Sequence, residues 1–221
     1  MLKKLLSYIV PIRLYKSESK ISKTIEITLY NGELVLDSQN TNYSYGSLQR
    51  VLRYGLKQIG FDAIKEMSHI LVLGVAGGSV VKTLVNDLKY EGTIRGVEID
   101  SSIIEIANSY FNLDKIQNFE VVIADAEQFL KQETRKYDLI IVDIFQDKEM
   151  PSFLFKEEFS QDLVSVLKNN GRILFNTMNI SKEDEGRNQK YKLNYPQDKF
   201  EIFVHSGIEE YNELFIIKRK G

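Results

Sequence analysis

The residues of this chain best suited to chemistry stand in four places, each at the end of an apolar run. The first is the stretch ILVLGVAGGSVVKTL, residues 70–84, which passes from four apolar residues into Gly74, Ala76, Gly77, Gly78 and Ser79. Small residues there let the backbone approach a ligand, and a helix starting behind them offers free N–H groups. The alternative is a tight turn needed only for helix–sheet packing. Glu98, followed by Ile99 and Asp100, comes about 20 residues beyond that loop, where a carboxylate accepts both hydroxyls of a ribose in dinucleotide sites. Asp100 precedes SSIIEIA and suits a helix N-cap. Glu98 ends an otherwise apolar strand and has no such structural explanation, so its expected role is binding. Asp125, followed by Ala126, either accepts an amino hydrogen from a purine or caps the helix AEQFLKQ. Asp143 closes the run LIIVD and is expected to act as a general base toward an amine or hydroxyl, or to steady a cationic centre. Asp147, Glu149, Glu157 and Glu158 follow it, and the last two read as favourable first-turn acids of a helix.

Those positions dictate the elements that must hold them. From His69 onward, apolar runs (HILVLGV, TIRGVEID, FEVVIAD, YDLIIVDIF, GRILFNTM) alternate with helical segments. Nearly continuous apolar strands imply burial on both faces, hence a parallel sheet covered by helices. In such sheets ligands bind outside the carboxyl ends of the strands, near the point where the strand order reverses. KFEIFVHS and NELFIIKRK have no room for a helix between them and should form an antiparallel hairpin, while Ser181 to Lys199 is expected to be a helix with a mobile exposed face. The chain up to Asn40 reads as strands: KTIEITLY and ELVLD flank the turn Asn31-Gly32, and MLKKLLSYIVPIRLYK reads as a first strand or packing segment. After the polar SQNTNYSYGS, Leu48, Val51, Leu52, Leu56 and Ile59 recur at helical spacing. The expected division is a small N-terminal β-hairpin region, residues 1–46, and an α/β domain, residues 47–221.

Composition narrows the chemistry. The 221 residues carry a net charge of -2, so no strong field draws the chain to nucleic acid or an anionic membrane, and neither is expected as a partner. No apolar stretch approaches the roughly 20 residues that span a bilayer. Cysteine is absent, which excludes thiolate nucleophiles and Cys-zinc sites and fits a cytoplasmic protein. His69 and His205 lie far apart and read as structural, and no metal site is expected.

A nicotinamide-binding loop would want G-x-G-x-x-G, and those positions hold Gly74, Ala76 and Ser79. The four sites together point instead to an adenosine. From about His69 to Met178 the chain resembles the S-adenosylmethionine-dependent methyltransferases, and within them most resembles the spermidine synthase (polyamine aminopropyltransferase) group. VLGVAGGSVVKTL resembles that group's glycine motif, with Ala76 at a usual glycine; GVEIDSSIIEIANSYF its ribose motif; IADAEQFL its adenine motif; YDLIIVDIFQDKEMPSFLFKEEF its catalytic loop. ELVLDSQ and the hairpin before it resemble the small β-domain that precedes the core, here abbreviated.

The resemblance implies a Rossmann-like class I methyltransferase fold, with a seven-stranded mostly parallel sheet ending in an antiparallel hairpin. It implies a transferase using S-adenosylmethionine or its decarboxylated form, with an aminopropyl group passed to a polyamine or other amine acceptor, and a homodimer. Gly74, Ala76, Gly77, Gly78, Glu98, Ile99, Asp125, Ala126 and Asp143 would surround the cofactor. Asp143 would be the general base and Asp147 the second acid, one residue later than the D-x-x-D spacing of the group. Leu48-Gln49-Arg50 stands where the group places an acid that grips the polyamine, and an arginine there would repel a diamine. Two alternatives stay open. One is methyl transfer, with Lys82 either holding the methionine carboxylate or facing solvent. The other is a non-catalytic nucleoside-binding module, motivated by Arg50 and the displaced Asp147.

Overall fold

The structure is a computed structural model that describes residues 2–19, 21, 23–37, 42–44, 46–146 and 150–221. Asp147 and Glu149 therefore lie outside the described residues. Of the opening stretch expected to be a first strand or packing segment, Leu2–Leu6 forms a short helix, α1, and the strand begins only at Ile12. Lysine and leucine are good helix formers, and Pro11, with its fixed φ and missing N–H, marks the start of extended chain. β1 (Ile12–Ser19), β2 (Lys23–Tyr30), β3 (Glu33–Asp37) and β4 (Asn42–Ser44) then form a four-stranded antiparallel sheet in sequential order, with β2 and β3 joined through Asn31-Gly32.

Helices α2 (Ser47–Ile59) and α3 (Phe61–Lys65) lead into the larger sheet. Its strands are β5 (His69–Leu73), β6 (Thr93–Glu98), β7 (Phe119–Ile123), β8 (Tyr137–Val142), β9 (Leu167–Met178), β10 (Phe200–Ile208) and β11 (Asn212–Arg219). The spatial order is β10-β11-β9-β8-β5-β6-β7. Pairs among β5 to β9 are parallel, and β11 runs antiparallel to both β9 and β10. This is the Rossmann-like methyltransferase fold. The chain builds outward from β5 through β6 to β7, then returns to β8 on the other side, so the strand order reverses between β5 and β8.

Burial on both faces explains the unbroken apolar strands. Ile70, Val72, Ile141, Leu174 and Leu214 enter the cluster under α2 and the helix α4 (Ser79–Lys82). Leu71, Leu73, Ile140, Phe175 and Phe215 enter the cluster under α6 (Ala126–Gln132), α7 (Glu157–Ser165) and α8 (Lys182–Lys192). Gly55 lets α2 lie directly on the sheet, because a Cβ there would stand 2.7 Å from Leu174 Cδ1. The expected helix after Ser181 is α8, started by a reciprocal capping box between Ser181 and Asp184. Its inward residues Asn188 and Tyr191 are fully buried.

The small sheet is fastened to the larger unit. Ile25, Ile27 and Leu36 pack on Ile103, Ile106 and Phe111 of α5 (Ser101–Phe111), the helix that follows Glu98. Ser19 of β1 donates a hydrogen bond to Asp100, the N-cap of the same helix. Among the described residues no helix is long and apolar enough to cross a membrane.

Candidate active site

The strand order reverses between β5 and β8, the place where open α/β sheets bind ligands, and the chemistry-bearing residues lie at the carboxyl ends of the strands on that side. Gly74 follows β5 with φ +88°, and a Cβ on it would stand 2.1 Å from the carbonyl oxygen of Asp143, the residue after β8. Glycine is thus required for the two strand ends to meet. Gly74→Ala is expected to force these strand ends apart and cost about 3 kcal/mol, the upper end of ordinary single-residue losses. A urea titration reads this, and an unchanged midpoint would show that the cleft rim yields freely.

Ala76 holds a left-handed conformation, φ 45°. This strains an L-residue by about 1–2 kcal/mol. Ala76→Gly is therefore expected to raise stability by up to about 1 kcal/mol, the relief being partly offset by glycine's freedom in the unfolded chain. A lower urea midpoint would mean that the methyl group, which packs against the cluster formed by the small sheet and α5, outweighs the strain. Gly78, also left-handed at φ 77°, begins α4. That helix widens after one turn into a π-helical segment, Thr83–Asp87, where the Thr83 hydroxyl donates to the Ser79 carbonyl at 3.0 Å.

Glu98 is 9% exposed and organises the loop. Its Oε2 accepts from the N–H groups of Val75 (3.2 Å) and Ala76 (3.0 Å), and its Oε1 from those of Ile99 (2.9 Å) and Asp100 (3.1 Å). Burial pushes its carboxyl above the usual range, and the four N–H groups oppose that. Two N–H groups that a dinucleotide loop would turn toward a pyrophosphate are here turned onto a carboxylate. Such a loop suits a ligand without phosphates.

Asp125 caps α6, accepting from the Gln128 N–H at 3.0 Å through Oδ1. Its other oxygen accepts no hydrogen bond from the described residues, so capping and base recognition are compatible. Ala126 is buried at the first position of that helix. Ile99 (41% exposed) and Ile123 (49%) present apolar surface beside the ends of β6 and β7. Carboxylate acceptors for hydroxyls and an amine, with apolar side chains for a ring, fit an adenosine.

Asp143 is half-buried, and burial pushes its carboxyl up to about 6, opposed by a hydrogen bond from Asn176 Nδ2 to Oδ1 at 2.9 Å. A carboxylate tuned near neutrality is suited to taking a proton. Gln146, exposed, stands three residues on, where D-x-x-D would put the second acid.

Other expectations resolve as follows. Arg50 forms a two-pronged ion pair with Glu209 of the β10–β11 turn, Nε to Oε1 at 2.8 Å and Nη2 to Oε2 at 2.7 Å, so its charge is balanced. Lys82 does not face solvent freely: it lies over the Phe111 ring, 5.5 Å from the centroid, and burial lowers its pKa. His69 pairs with Thr93 at 2.6 Å at the far end of the sheet, and His205 stands edge-on to Tyr54. Glu157 and Glu158 occupy the first turn of α7. Among the described residues, no cluster of three His, Asp or Glu side chains could hold a metal ion. Reading the sequence missed Asn176, Asn212 and Ile123. For Asn176 the signal was present, a polar residue inside the apolar run RILFNTM.

A sheet of this order, with carboxylates at successive strand ends round a short glycine loop, defines an α/β protein with the fold of the S-adenosylmethionine-dependent methyltransferases. Residues 54–195 match the family model of the spermine/spermidine synthase domain, and the chain belongs to that family. The polyamine aminopropyltransferase of Vibrio vulnificus is 32% identical over 126 residues, covering 56% of this chain and 42% of that protein. That of Saccharolobus solfataricus is 29% identical over 161 residues, covering 68% and 52%. The chain thus spans about half the length of the curated relatives it matches. Spermidine synthase from Thermotoga maritima superposes with a TM-score of 0.68 at 19% identity, over 95% of this chain and 73% of that one. Human methyltransferase-like protein 13, solved with SAH, gives 0.65 at 21%, over 80% and 83%. At these identities the structures establish a common fold.

Proposed function

We propose that the chain is an aminopropyltransferase, passing an aminopropyl group from decarboxylated S-adenosylmethionine to an amine acceptor. The observation that carries this reading is Asp143: a carboxylate at the strand reversal, with a pKa raised to about 6, next to a loop whose N–H groups serve Glu98. In this reading Glu98 takes the ribose hydroxyls by sharing or displacing some of its four N–H partners, and Asp125 takes the amino group of the base. Gly74, Ala76, Gly77 and Gly78 bring the backbone close, and Ile99 and Ala126 flank the ring. When bound, the sulfonium nucleoside would supply a carbon open to attack by the acceptor nitrogen, the new C–N bond replacing the C–S bond and the neutral thioether nucleoside leaving with its electron pair. Asp143 accepts the proton that nitrogen sheds. Asp147 remains the proposed second acid. The Arg50–Glu209 pair is neutral as a unit, so it does not bar a cationic acceptor.

The relatives' printed name, polyamine aminopropyltransferase, supports a polyamine as that acceptor. The exposed Leu2, Leu5 and Ile9 would suit burial in a homodimer, which light scattering checks. The activity test is incubation with either cofactor form and putrescine or spermidine, followed by mass analysis. An aminopropyl adduct from the decarboxylated form is expected. A methyl adduct from the intact cofactor, or no product, overturns the reading.

A further inference from the structure

Asp143 is held by one described side chain, and that side chain is itself held. Asn176, on β9, is fully buried and donates Nδ2–H to Asp143 Oδ1 at 2.9 Å. Its own Oδ1 accepts from Asn212 Nδ2 at 3.0 Å. The antiparallel register explains the meeting. Asn176 pairs with Leu214 across β9 and β11, so Asn212, two residues earlier, presents its side chain on the same face.

The order of the chain has a chemical direction. An ionised carboxylate only accepts, so it takes the NH₂ of Asn176. The Asn176 oxygen then needs a donor away from bulk water, and Asn212 supplies it. The sheet carries a fully buried asparagine and a partly buried one here, at a site where an apolar pair would pack more cheaply. On the opposite face, Thr177, Asn188 and Glu213 form a separate network that does not reach Asp143.

The geometry points to Asn176, oriented by Asn212, as the positioning residue that aims the Asp143 oxygen left unbonded by the described residues at the acceptor nitrogen and favours its ionised form. This inference rests on the proposed role of Asp143 as proton acceptor. Burial and the Asn176 amide account for the perturbation of Asp143, and among the described residues no charged side chain enters it.

The test compares pH profiles of kcat for the wild type, Asn176→Leu and Asn212→Leu, with decarboxylated cofactor and putrescine, and thermal shift by methylthioadenosine as the binding readout. Losing the amide donor should move the acidic limb of Asn176→Leu upward by about one pH unit and lower kcat at neutral pH about 10-fold or more, with the thermal shift retained. Asn212 is partly exposed and tolerates change better, so Asn212→Leu guards against misfolding of the buried variant. It should move the limb the same way by less. An acidic limb unmoved in a folded Asn176→Leu, or in Asn212→Leu where Asn176→Leu does not fold, overturns the inference. The Asp143→Asn variant separates the two claims: if it turns over like wild type, the proton-acceptor role itself has failed, whatever the asparagines do.

Discussion

Asp143→Asn should lose about 10²- to 10⁴-fold in kcat, the ordinary share of a positioned general base, while binding nucleoside as the wild type does. The amide is nearly isosteric with the carboxyl and still accepts the Asn176 N–H through its oxygen, so the cleft rim survives. What disappears is the ability to take a proton. In the wild type, turnover should fall as pH drops through about 6, because protonated Asp143 cannot act as a base. Stopped assays across about pH 5 to 8 read both effects. Wild-type turnover by the asparagine variant would remove Asp143 from the chemistry.

The same substitution has a thermodynamic signature of opposite sign. The folded pKa of about 6 lies above the ordinary 3.8, so the folded state binds more protons than the unfolded state between those values. Ionised Asp143 therefore opposes folding at neutral pH. Asp143→Asn should melt higher than wild type above about pH 6, and the gap should close as pH falls toward about 4. A variant that is both less active and more stable is the mark of a group kept for function.

The sequence made the core legible for a physical reason. Apolar runs buried on both faces carry their assignment locally, and an acid that ends such a run has nowhere to hide. That logic located Glu98 and Asp143 correctly at the strand ends. It failed where the cause is long-range. Arg50 looked like a bare cation because Glu209 is 159 residues away in sequence. Asn176 looked like one more residue in a buried strand because its partners, Asp143 and Asn212, arrive from two other strands. Asp125 was open between cap and ligand, and its geometry serves the first without excluding the second. The opening stretch was legible only in its second half: Ile12–Ser19 is strand, whereas the local helix preference of lysine and leucine prevails over Leu2–Leu6.

Glu98 gives the sharpest test of the nucleoside half. Its four N–H partners make it the fastener of the glycine loop, and under the proposed function it is a binding group as well. Glu98→Ala should weaken nucleoside binding roughly 10- to 150-fold, the equivalent of one charge-assisted hydrogen bond of about 1.5–3 kcal/mol. It also orphans donors next to the glycine loop. Glu98→Gln separates the two roles. Its amide oxygen can serve one pair of N–H groups, but its NH₂ then faces the other pair, and each donor left buried and unpaired costs about 1–3 kcal/mol. The glutamine variant should therefore lose stability although it differs from wild type by one atom. Calorimetric titration with methylthioadenosine, beside urea melts of both variants, reads the outcomes. Stability lost with affinity intact would make Glu98 a fastener alone, and the ribose would need another partner in the cleft. Affinity lost in both variants, with the alanine form still folded, is the expected result, because the neighbouring carboxylate, Asp100, is already engaged by the Ser102 N–H and the Ser19 hydroxyl.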